Sequence, residues 1–299
     1  MNVKLLPGKY VLAVSGGVDS MVLLDLLASR PGLDLVVAHF DHGIRPGSTG
    51  DAQFVKTKAQ KLNLAFELGQ GRLGPAASEE QARRARYDFL ESTRARHNAL
   101  AIVTAHHQDD LIETALINTI RGTGPQGLTA ILRNQEIVRP LLSTPKAQIL
   151  DYARAQNLDW VEDETNTDER YLRNWVRARL MPKLSETDRQ KLLTGLYRLE
   201  QVLDETNVLM DRVSRRVIEH NIINRAEFTS LPQAIGQELL YRRLKALKVP
   251  DLDRRTVERL AVAIRTAKAG TKQEIKKDFV LKIKRDTAQI AVANRGWYN

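Results

Sequence analysis

Residues 10–24, with the sequence YVLAVSGGVDSMVLL, decide the fold of the first part of the chain. The apolar run at 10–14 is rich in Val and Leu and predicts a buried parallel strand. Two glycines follow it, and an apolar helix pattern begins after them. Adjacent glycines let the backbone approach a ligand closely, and the free N–H groups of a helix N-terminus attract anions. The segment therefore predicts a phosphate-binding loop made by Ser15, Gly16, Gly17, Val18, Asp19 and Ser20.

Asp19 is an unexpected residue in a site that binds only an anion, because a carboxylate repels phosphate. We therefore expect Asp19 to hold a Mg²⁺ ion that bridges to the phosphates. The loop lacks the Gly-Lys-Ser/Thr element of a Walker A motif, whose lysine reaches the β- and γ-phosphates. A loop that grips pyrophosphate without this lysine suits cleavage between the α- and β-phosphates of ATP, which is adenylation. The alternative is a glycine turn that binds nothing.

The first half of the chain alternates between strand and helix patterns. Strands are predicted at 10–14, 33–39, 64–68 and 99–105, and helices at 18–30, 49–62, 78–97 and 109–121, the third helix being capped by Ser78. This order predicts the α/β class, with a doubly wound parallel sheet and right-handed crossovers. Ligands of such sheets bind beyond the carboxyl ends of the strands. Polar residues follow all four strands, so the binding site is expected at that edge.

The pattern changes after residue 127. A last edge strand is predicted at 139–142, a helix from Thr144-Pro145 to residue 157 and an acidic loop at 162–166. From residue 171 the chain is predicted to be mostly helical, with helices at 185–220, 231–248 and 253–266 and a short basic hairpin at the end. We therefore divide the chain into a catalytic domain at 1–184 and a smaller, mostly helical domain at 185–299 with a short basic β end.

The composition limits the classes of function. The 299 residues carry 46 Lys and Arg against 36 Asp and Glu, a formal net charge of +10. This surplus favours a polyanionic partner, first of all RNA or DNA. The sequence contains no cysteine, which excludes disulfides, thiolate metal sites, iron–sulfur clusters and persulfide chemistry in these residues. No apolar stretch approaches the roughly 20 residues of a membrane helix. We expect no secretory signal, because the first predicted strand starts at residue 10. We expect a cytoplasmic protein with no membrane partner.

The second predicted strand ends in residues that suit a nucleotide. In a nucleotide-binding sheet this position meets the adenosine half of ATP, and we assign His39 and Phe40 to that site. Arg45, a few residues on, suits phosphate or an RNA backbone. The alternative for this segment is a surface turn.

The fourth predicted strand is followed by two acidic residues, Asp110 and Glu113. They lie three residues apart, on one face of a helix and close to its N-terminus, where carboxylates are favoured. Two carboxylates at this place suit an ammonium group, a metal ion or both. Zinc bound by His106 and His107 is an alternative, although neighbouring residues rarely ligate one metal ion together. The remaining alternative is an acidic helix cap beside structural histidines.

Seven motifs, in order, carry a resemblance to a known family. They are SGGVDS at 15–20, DHGIR at 41–45, EEQARRARY at 79–87, AHHQDDLIET at 105–114, RGTGPQGL at 121–128, RPLL at 139–142 and EDETNTDERYLRNWVR at 162–177. SGGVDS resembles the PP-loop of the N-type ATP pyrophosphatases, which have a Rossmann-like fold. The whole set resembles the bacterial tRNA(Ile)-lysidine synthetases. Motif coverage ends near residue 184. Longer members of that family carry a further C-terminal domain, which we expect this chain to lack.

The resemblance implies a two-step reaction on cytidine 34 of the isoleucine tRNA with anticodon CAU. ATP first adenylates the oxygen on C2 of the base and releases pyrophosphate. The side-chain amine of free L-lysine then attacks C2 and releases AMP. The product, lysidine, pairs with A instead of G, so the tRNA reads AUA instead of AUG. ATP and Mg²⁺ are the implied cofactors, and residues 185–299 are expected to bind tRNA. The oligomeric state stays open, with a homodimer as one alternative.

The resemblance also implies roles for the acidic residues. Asp19 holds Mg²⁺, and Asp110 and Glu113 hold the substrate lysine. The lysine amine has a reference pKa near 10.4 and must lose a proton before it attacks. One of the two carboxylates, or His106, takes that proton, and the sequence does not choose among them.

Three arginines are the basic candidates. Arg86 lies in the EEQARRARY helix and is our candidate for steadying the adenylated intermediate. Arg173 and Arg177 lie in a basic helix and suit tRNA phosphates. The alternative for Arg86 is a charged helix face that is simply solvated.

Three other functions compete with this interpretation. A tRNA thiolase of the same superfamily would need catalytic cysteines or an iron–sulfur cluster, and the sequence has no cysteine. An amidotransferase-like ligase that acts on a small acidic molecule would have no use for a charge of +10. A nucleotide-binding module associated with RNA, without catalysis, would not need polar residues at so many strand ends.

Overall fold

The computed structural model describes residues 1, 3–43, 48–71, 79–133, 136–162, 169–276 and 278–292. Arg45, Ser78 and most of the predicted acidic loop at 162–166 lie outside these residues. The chain forms two compact units, Met1–Glu200 and Gln201–Asn299. Each unit has its own buried core and is described separately.

The first unit is built around a five-stranded sheet. Its strands are β1 Gly8–Ala13, β2 Leu33–Asp41, β3 Ala65–Gln70, β4 Ala101–Val103 and β5 Ile137–Val138. Its helices are α1 Val18–Ala28, α2 Ser48–Lys61, α3 Glu79–Arg96, α4 Gln108–Ile120, α5 Pro125–Leu128, α6 Ala130–Arg133, α7 Lys146–Ala155 and α8 Leu172–Trp175. The strand order is β3-β2-β1-β4-β5, and the four pairings are parallel.

Successive residues of the central strands feed two separate cores, because side chains alternate across a strand. Leu12 and Val37 face the core formed with α1, α2 and α7. Val11 and Val36 face the opposite core, where Leu90 of α3 packs. Both faces of the sheet are therefore covered, as the doubly wound prediction requires, and the predicted fold class is confirmed for this unit.

The strand order places the ligand-binding crevice. Chain order reverses between β1 and β4, which lie side by side. In open α/β sheets ligands bind outside the carboxyl ends of the strands at such a reversal. The glycine loop follows β1, and His106 and His107 follow β4, so both groups reach the same crevice.

The predicted edge strand at 139–142 is wrong in its position. The observed strand is Ile137–Val138, and residues 140–142 form a turn. Ile and Val are β-branched and favour a strand, whereas Pro140 has no N–H to donate to a strand ladder. Leu141 is fully buried in the core of the first unit from its place in the turn.

A segment of unusual helix follows α8. Val176–Leu180 form one π-helical turn, Met181–Lys183 form a 3₁₀ turn, and the long helix α9 Glu186–Val217 begins soon after. Single π-helical turns are rare and occur most often at functional sites. Arg177 belongs to this π-helical turn.

The second unit combines helices with an antiparallel sheet. Its strands are β6 Ile218–Glu219, β7 Ile222–Asn224, β8 Lys272–Lys276, β9 Phe279–Ile283 and β10 Thr287–Val292. The helices that follow α9 are α10 Arg225–Ser230, α11 Gln233–Ala246 and α12 Arg254–Thr266. The strand order is β6-β7-β10-β9-β8. Phe228 and Leu260 lie in its core, which buries both fully.

This sheet extends the predicted C-terminal hairpin. The hairpin is β8 and β9, with the third strand β10 beside it. The short strands β6 and β7 fall at the end of and just after the predicted helix 185–220, where two or three residues of strand leave no pattern in the sequence. The two units divide at residue 200, within α9, and the family motifs end near residue 184, so the domain boundary at 184/185 stays a prediction.

Across the described parts of both units, no helix combines the length and the apolar character needed to cross a membrane.

Candidate active site

Hydrogen bonds from its own serines fix the conformation of the glycine loop between β1 and α1. Ser20 Oγ donates to the Gly17 carbonyl at 2.8 Å and accepts from Gly16 N–H at 3.2 Å, and Gly17 N–H donates to Ser15 Oγ at 3.3 Å. Gly17 caps α1 with an extended backbone and no side-chain hydrogen bond. The N–H groups of the first helical turn have no acceptor within the helix, so they are available to an anion.

Asp19 lies in that first turn and contacts two basic groups. Its Oδ1 is 2.6 Å from Lys146 Nζ, and its Oδ2 is 3.7 Å from His107 Nε2. His107 Nε2 is also 3.4 Å from Asp110 Oδ2. The buried imidazole of His107 therefore lies between the carboxylate of the glycine loop and a carboxylate of α4.

Asp110 and Glu113 are both buried at the start of α4, 7% and 3% exposed. Asp110 Oδ2 accepts from the backbone N–H of His107 at 2.9 Å, which fixes it as a cap of the helix. Arg177 bridges the pair, since its Nε donates to Glu113 Oε1 at 2.6 Å and its Nη2 to Asp110 Oδ1 at 3.1 Å. The two carboxylates thus already hold one cationic group.

The second oxygen of Glu113 is left without a donor. Glu113 Oε2 is buried and has no hydrogen-bond partner among the described residues, and Arg173 Nε lies 3.6 Å away. An unsatisfied buried acceptor is uncommon in proteins. Glu113 therefore retains the capacity to accept a hydrogen bond from a ligand.

The two carboxyl groups differ in acidity. Burial raises the pKa of Glu113, and the contacts with Arg177 offset this only in part. Burial also disfavours the charged form of Asp110, but His107, His106 and Arg177 together outweigh it and lower the pKa of that group. Of the two, Glu113 is the better proton acceptor.

His106 is a neutral imidazole in this environment. Its burial lowers its pKa to about 3, and Arg139 and Arg86 add to this effect against the opposing charge of Asp110. Its Nδ1 pairs with Thr104 Oγ1 at 2.7 Å. A group that binds a proton this weakly is a poor acceptor for the proton of an ammonium.

The residues at the end of β2 form an aromatic and imidazole wall. His39 Nδ1 lies 2.8 Å from the Val14 carbonyl and is a donor in the neutral ring, and burial lowers the pKa of His39. Phe40 packs against His42 and Phe89, with ring centres 4.9 and 5.6 Å apart. This wall offers flat apolar surface beside polar ring atoms, which suits a nucleobase.

Arg86 of α3 faces the same space. Its guanidinium lies 5.4 Å from the centre of the Tyr87 ring. Burial lowers the pKa of Arg86, with Arg83 and Arg173 acting in the same direction. Arg86 remains a cation nonetheless, because a guanidinium keeps its proton in proteins.

The structure gathers most of the predicted site residues around one cleft of about 1120 Å³. Gly16 and Arg173 do not line it: Gly16 is buried and its N–H donates to Ser20 Oγ within the loop, and Arg173 donates to Thr114 Oγ1 at 3.1 Å. The predicted residues that line the cleft are Ser15, Gly17, Val18, Asp19, Ser20, His39, Phe40, Arg86, His106, Asp110, Glu113 and Arg177. Their roles stay predictions.

The family of the chain follows from residues 4–184, which match the profile of the PP-loop domain. The chain belongs to the PP-loop family.

Two curated relatives of this PP-loop protein carry the same name. The tRNA(Ile)-lysidine synthase of Thermotoga maritima is 37% identical over 226 residues, which cover 72% of this chain and 54% of the relative. That of Solibacter usitatus is 39% identical over 180 residues, covering 59% and 41%. The chain therefore spans about half the length of the curated relatives it matches.

A solved structure supports the PP-loop fold. The U34-tRNA thiolase from Methanococcus maripaludis with its 4Fe–4S cluster aligns with a TM-score of 0.52 at 17% identity, over 64% of this chain and 72% of that one. At this identity the likeness shows the fold alone.

The PP-loop residues fit one kind of metal site. Within the described ranges, no group of three or more His, Cys, Asp or Glu side chains is placed to hold a metal ion. Mg²⁺ is usually bound through one or two carboxylates together with the phosphates of a substrate. A single carboxylate at Asp19, 30% exposed and beside the loop, fits a Mg²⁺ ion that arrives with ATP.

Sequence reasoning missed several residues of the PP-loop cleft. Lys146 is the first residue of α7. Arg189 lies in the first turn of α9 and donates to Asp109 Oδ2 at 2.7 Å and to the Met181 carbonyl at 2.7 Å. One available signal was the position of Lys146, which starts the helix after the last parallel strand and so belongs to the same sheet edge. Arg189 had no comparable signal, since its partner lies 80 residues away.

Proposed function

We propose that this protein joins lysine to C2 of cytidine 34 in the isoleucine tRNA with anticodon CAU, through an adenylated cytidine. One observation carries the proposal. A buried carboxylate pair, already holding a cation and with a free acceptor at Glu113 Oε2, shares one cleft with a phosphate-binding loop. The similarity to tRNA(Ile)-lysidine synthases supports the same reaction.

In the first step the loop and the wall bind ATP. The N–H groups of the first turn of α1 face the phosphates, and His39 and Phe40 border the space for adenosine. Mg²⁺, held by Asp19 together with the nucleotide, supplies positive charge that offsets the phosphates. The oxygen on C2 of cytidine attacks the α-phosphorus, and the bond to the β-phosphate breaks with its electron pair leaving on pyrophosphate. Arg86 is placed to stabilise the adenylated base.

In the second step the carboxylates of Asp110 and Glu113 bind the substrate lysine and one of them accepts its proton. The ammonium of the substrate binds at Glu113 Oε2 and Asp110, the most buried acidic groups of the cleft. Glu113, whose pKa burial raises, accepts the proton, and the neutral amine attacks C2. AMP departs with the electron pair of the C2–O bond. The low pKa of His106 favours Glu113 over His106 for this role.

The rest of the chain is assigned by the same proposal. Residues 1–184 carry catalysis and residues 185–299 bind tRNA, in keeping with the net charge of +10. Arg173 and Arg177 contact carboxylates of α4 in this structure, so phosphate binding by these arginines would require those ion pairs to open. A cytoplasmic location and a homodimer stay predictions.

The test is incorporation of radiolabelled lysine. The protein, ATP, Mg²⁺ and the isoleucine tRNA transcript are incubated, and label is expected in the RNA only when C34 is present. Methionine tRNA and a C34→U transcript serve as controls. ATP labelled in the α-phosphate should label the RNA when lysine is omitted, and addition of lysine should remove that label. Pyrophosphate release with neither lysine nor the α-phosphate label in the RNA would show that another acceptor is used.

A further inference from the structure

Lys146 lines the cleft and pairs with Asp19 of the phosphate-binding loop, but the reaction above gives it no role. We propose that Lys146 binds the β- and γ-phosphates of ATP and stabilises the departing pyrophosphate, and that it pairs with Asp19 only while the nucleotide is absent. The inference rests on the proposed function for its use of ATP. It does not depend on which base or amine reacts afterwards.

The position of Lys146 supports this role. Its Nζ is 2.6 Å from Asp19 Oδ1, and the two side chains are 31% and 30% exposed to the cleft. The other cations near the loop have more partners: Arg177 contacts two carboxylates, and Arg189 contacts Asp109 and a backbone carbonyl. Lys146 thus makes a direct ion pair with the phosphate-binding loop, through Asp19.

The local helix does not explain a lysine at this place. Lys146 is the first residue of α7, a helix of 10 residues whose first turn has no acidic residue. A cation at a helix N-terminus is opposed by the helix dipole. The charge therefore has a stabilising partner outside its own helix, which is Asp19 here and would be phosphate in the complex.

A cation at this place would favour the chemistry of the first step. When the bond between the α- and β-phosphates breaks, its electron pair passes to pyrophosphate, and the negative charge on that group increases. An ammonium that keeps its three protons can stabilise this charge by hydrogen bonds. The glycine loop carries no lysine of its own. As Lys146 moves to the phosphates, Asp19 is freed to contact Mg²⁺.

The test measures ligand binding by the full chain without tRNA or lysine. Lys146→Met removes the charge with little change of length, and Lys146→Arg retains it. We expect Lys146→Met to bind ATP and inorganic pyrophosphate at least about tenfold more weakly, with AMP binding unchanged, because only the first two ligands carry the contacted phosphates. Lys146→Arg should recover most of the pyrophosphate binding. With tRNA present, pyrophosphate release by Lys146→Met should slow by about 10²–10³-fold.

Lys58→Met is the matched control. Lys58 Nζ lies 2.7 Å from Asp159 Oδ2, a lysine–aspartate pair with a similar distance that does not line the cleft. The Lys58→Met variant should bind ATP, pyrophosphate and AMP as tightly as the unmodified protein does. Circular dichroism and melting temperature report whether each variant folds.

The outcomes separate the two proposals. Equal weakening of AMP and pyrophosphate, or unchanged binding of both by Lys146→Met, would overturn the role of Lys146. If Lys146→Met discriminates pyrophosphate from AMP as expected while the unmodified protein puts no lysine into tRNA, the inference stands and the proposed function fails.

Discussion

At the scale of single residues, the cleft is organised by opposite charges that come from distant parts of the chain. Asp19 pairs with Lys146 at a separation of 127 residues, and Glu113 pairs with Arg177 at 64. These groups are partly or largely removed from water. Removal of one member therefore leaves its partner with an uncompensated charge.

Glu113→Gln should abolish lysine transfer and retain ATP binding. The amide is isosteric but cannot accept the proton of the ammonium, so we expect a fall of about 10²–10⁴-fold in kcat/KM for lysine. The measurement is radiolabelled lysine entering tRNA, with equilibrium dialysis of ATP in parallel. Glu91→Gln, which removes an exposed partner of Arg94 on α3, is the control. Undiminished lysine transfer by Glu113→Gln would remove this residue from the mechanism.

The partly buried His106 predicts a pH dependence of stability. A histidine in the unfolded chain has a pKa near 6.5, whereas the pKa of His106 in the folded protein is about 3. Between these values the unfolded state binds more protons, so the free energy of unfolding rises with pH. The stability contributed by the neutral ring is complete above about pH 6.5 and is lost as the pH falls toward 3.

His106→Gln should flatten that dependence. Urea unfolding at a series of pH values, followed through hydrogen exchange of peptides from the first unit, measures it. His220→Asn, at an exposed position of the second unit where the backbone has a positive φ of 53° that asparagine tolerates, is the control. The same slope in His106→Gln and in the unmodified protein would contradict the assignment.

Sequence reasoning located the acidic residues of the cleft together with Arg86 and Arg177, but it missed Lys146 and Arg189. Asp19, Asp110 and Glu113 sit in motifs next to strand ends, where the topology of a parallel sheet brings them together. Lys146 and Arg189 come from the starts of helices that follow other elements. Their contacts depend on three-dimensional packing, which local pattern does not encode.

At the scale of elements, the loop between β1 and α1 depends on one glycine conformation. Gly16 has a φ of +93°, and its carbonyl accepts a hydrogen bond from Val161 N–H at 3.0 Å. A Cβ at this position would lie 3.4 Å from Val55 Cγ2. The strain at Gly16 is therefore chiefly in the backbone, because the space itself is adequate.

Gly16→Ala should destabilise the protein by about 1–3 kcal/mol, since a side chain disfavours this backbone conformation. It should also weaken ATP binding, because the loop must shift. Gly50→Ala is the matched control in α2, where a Cβ meets nothing within 4 Å; it should stabilise by about 0.5–1 kcal/mol. Thermal unfolding measures both. A neutral Gly16→Ala would show that the loop tolerates another conformation.

The elements themselves were predictable where they were long and apolar. The runs at 10–14 and 33–39 match β1 and β2 within two residues at each end, because a buried parallel strand needs a continuous apolar run. The last strand was placed two residues late, because Leu141 and Leu142 looked as apolar as Ile137 and Val138. Strands as short as β6 and β7 form only because β10 supplies the ladder for β7.

At the scale of the whole molecule, the two units have separate hydrophobic cores. Residues of the β7, α10, α11 and α12 region, with Phe228 at the centre, form one cluster. The cleft and its supporting clusters lie in Met1–Glu200. Damage to one core is therefore expected to affect mainly its own unit.

Phe228→Ala tests this separation. Phe228 is fully buried, so its truncation should destabilise the second unit by about 3–5 kcal/mol. Hydrogen exchange should increase in peptides from 218–292 and stay unchanged in those from β1 to β5. ATP should bind with unchanged affinity. A common loss of protection in both units would show that they unfold as one.

The conformation of the π-helical turn Val176–Leu180 should depend on whether lysine is bound. Such a winding is rarely stable by itself, and here Arg177 fastens it to two carboxylates. An amine that binds the same two carboxylates would weaken their contacts with Arg177 and let the backbone rewind into an ordinary α-helix. The rate of amide hydrogen exchange at 176–180 should therefore change when lysine is added. Exchange at these five residues would then measure lysine binding directly.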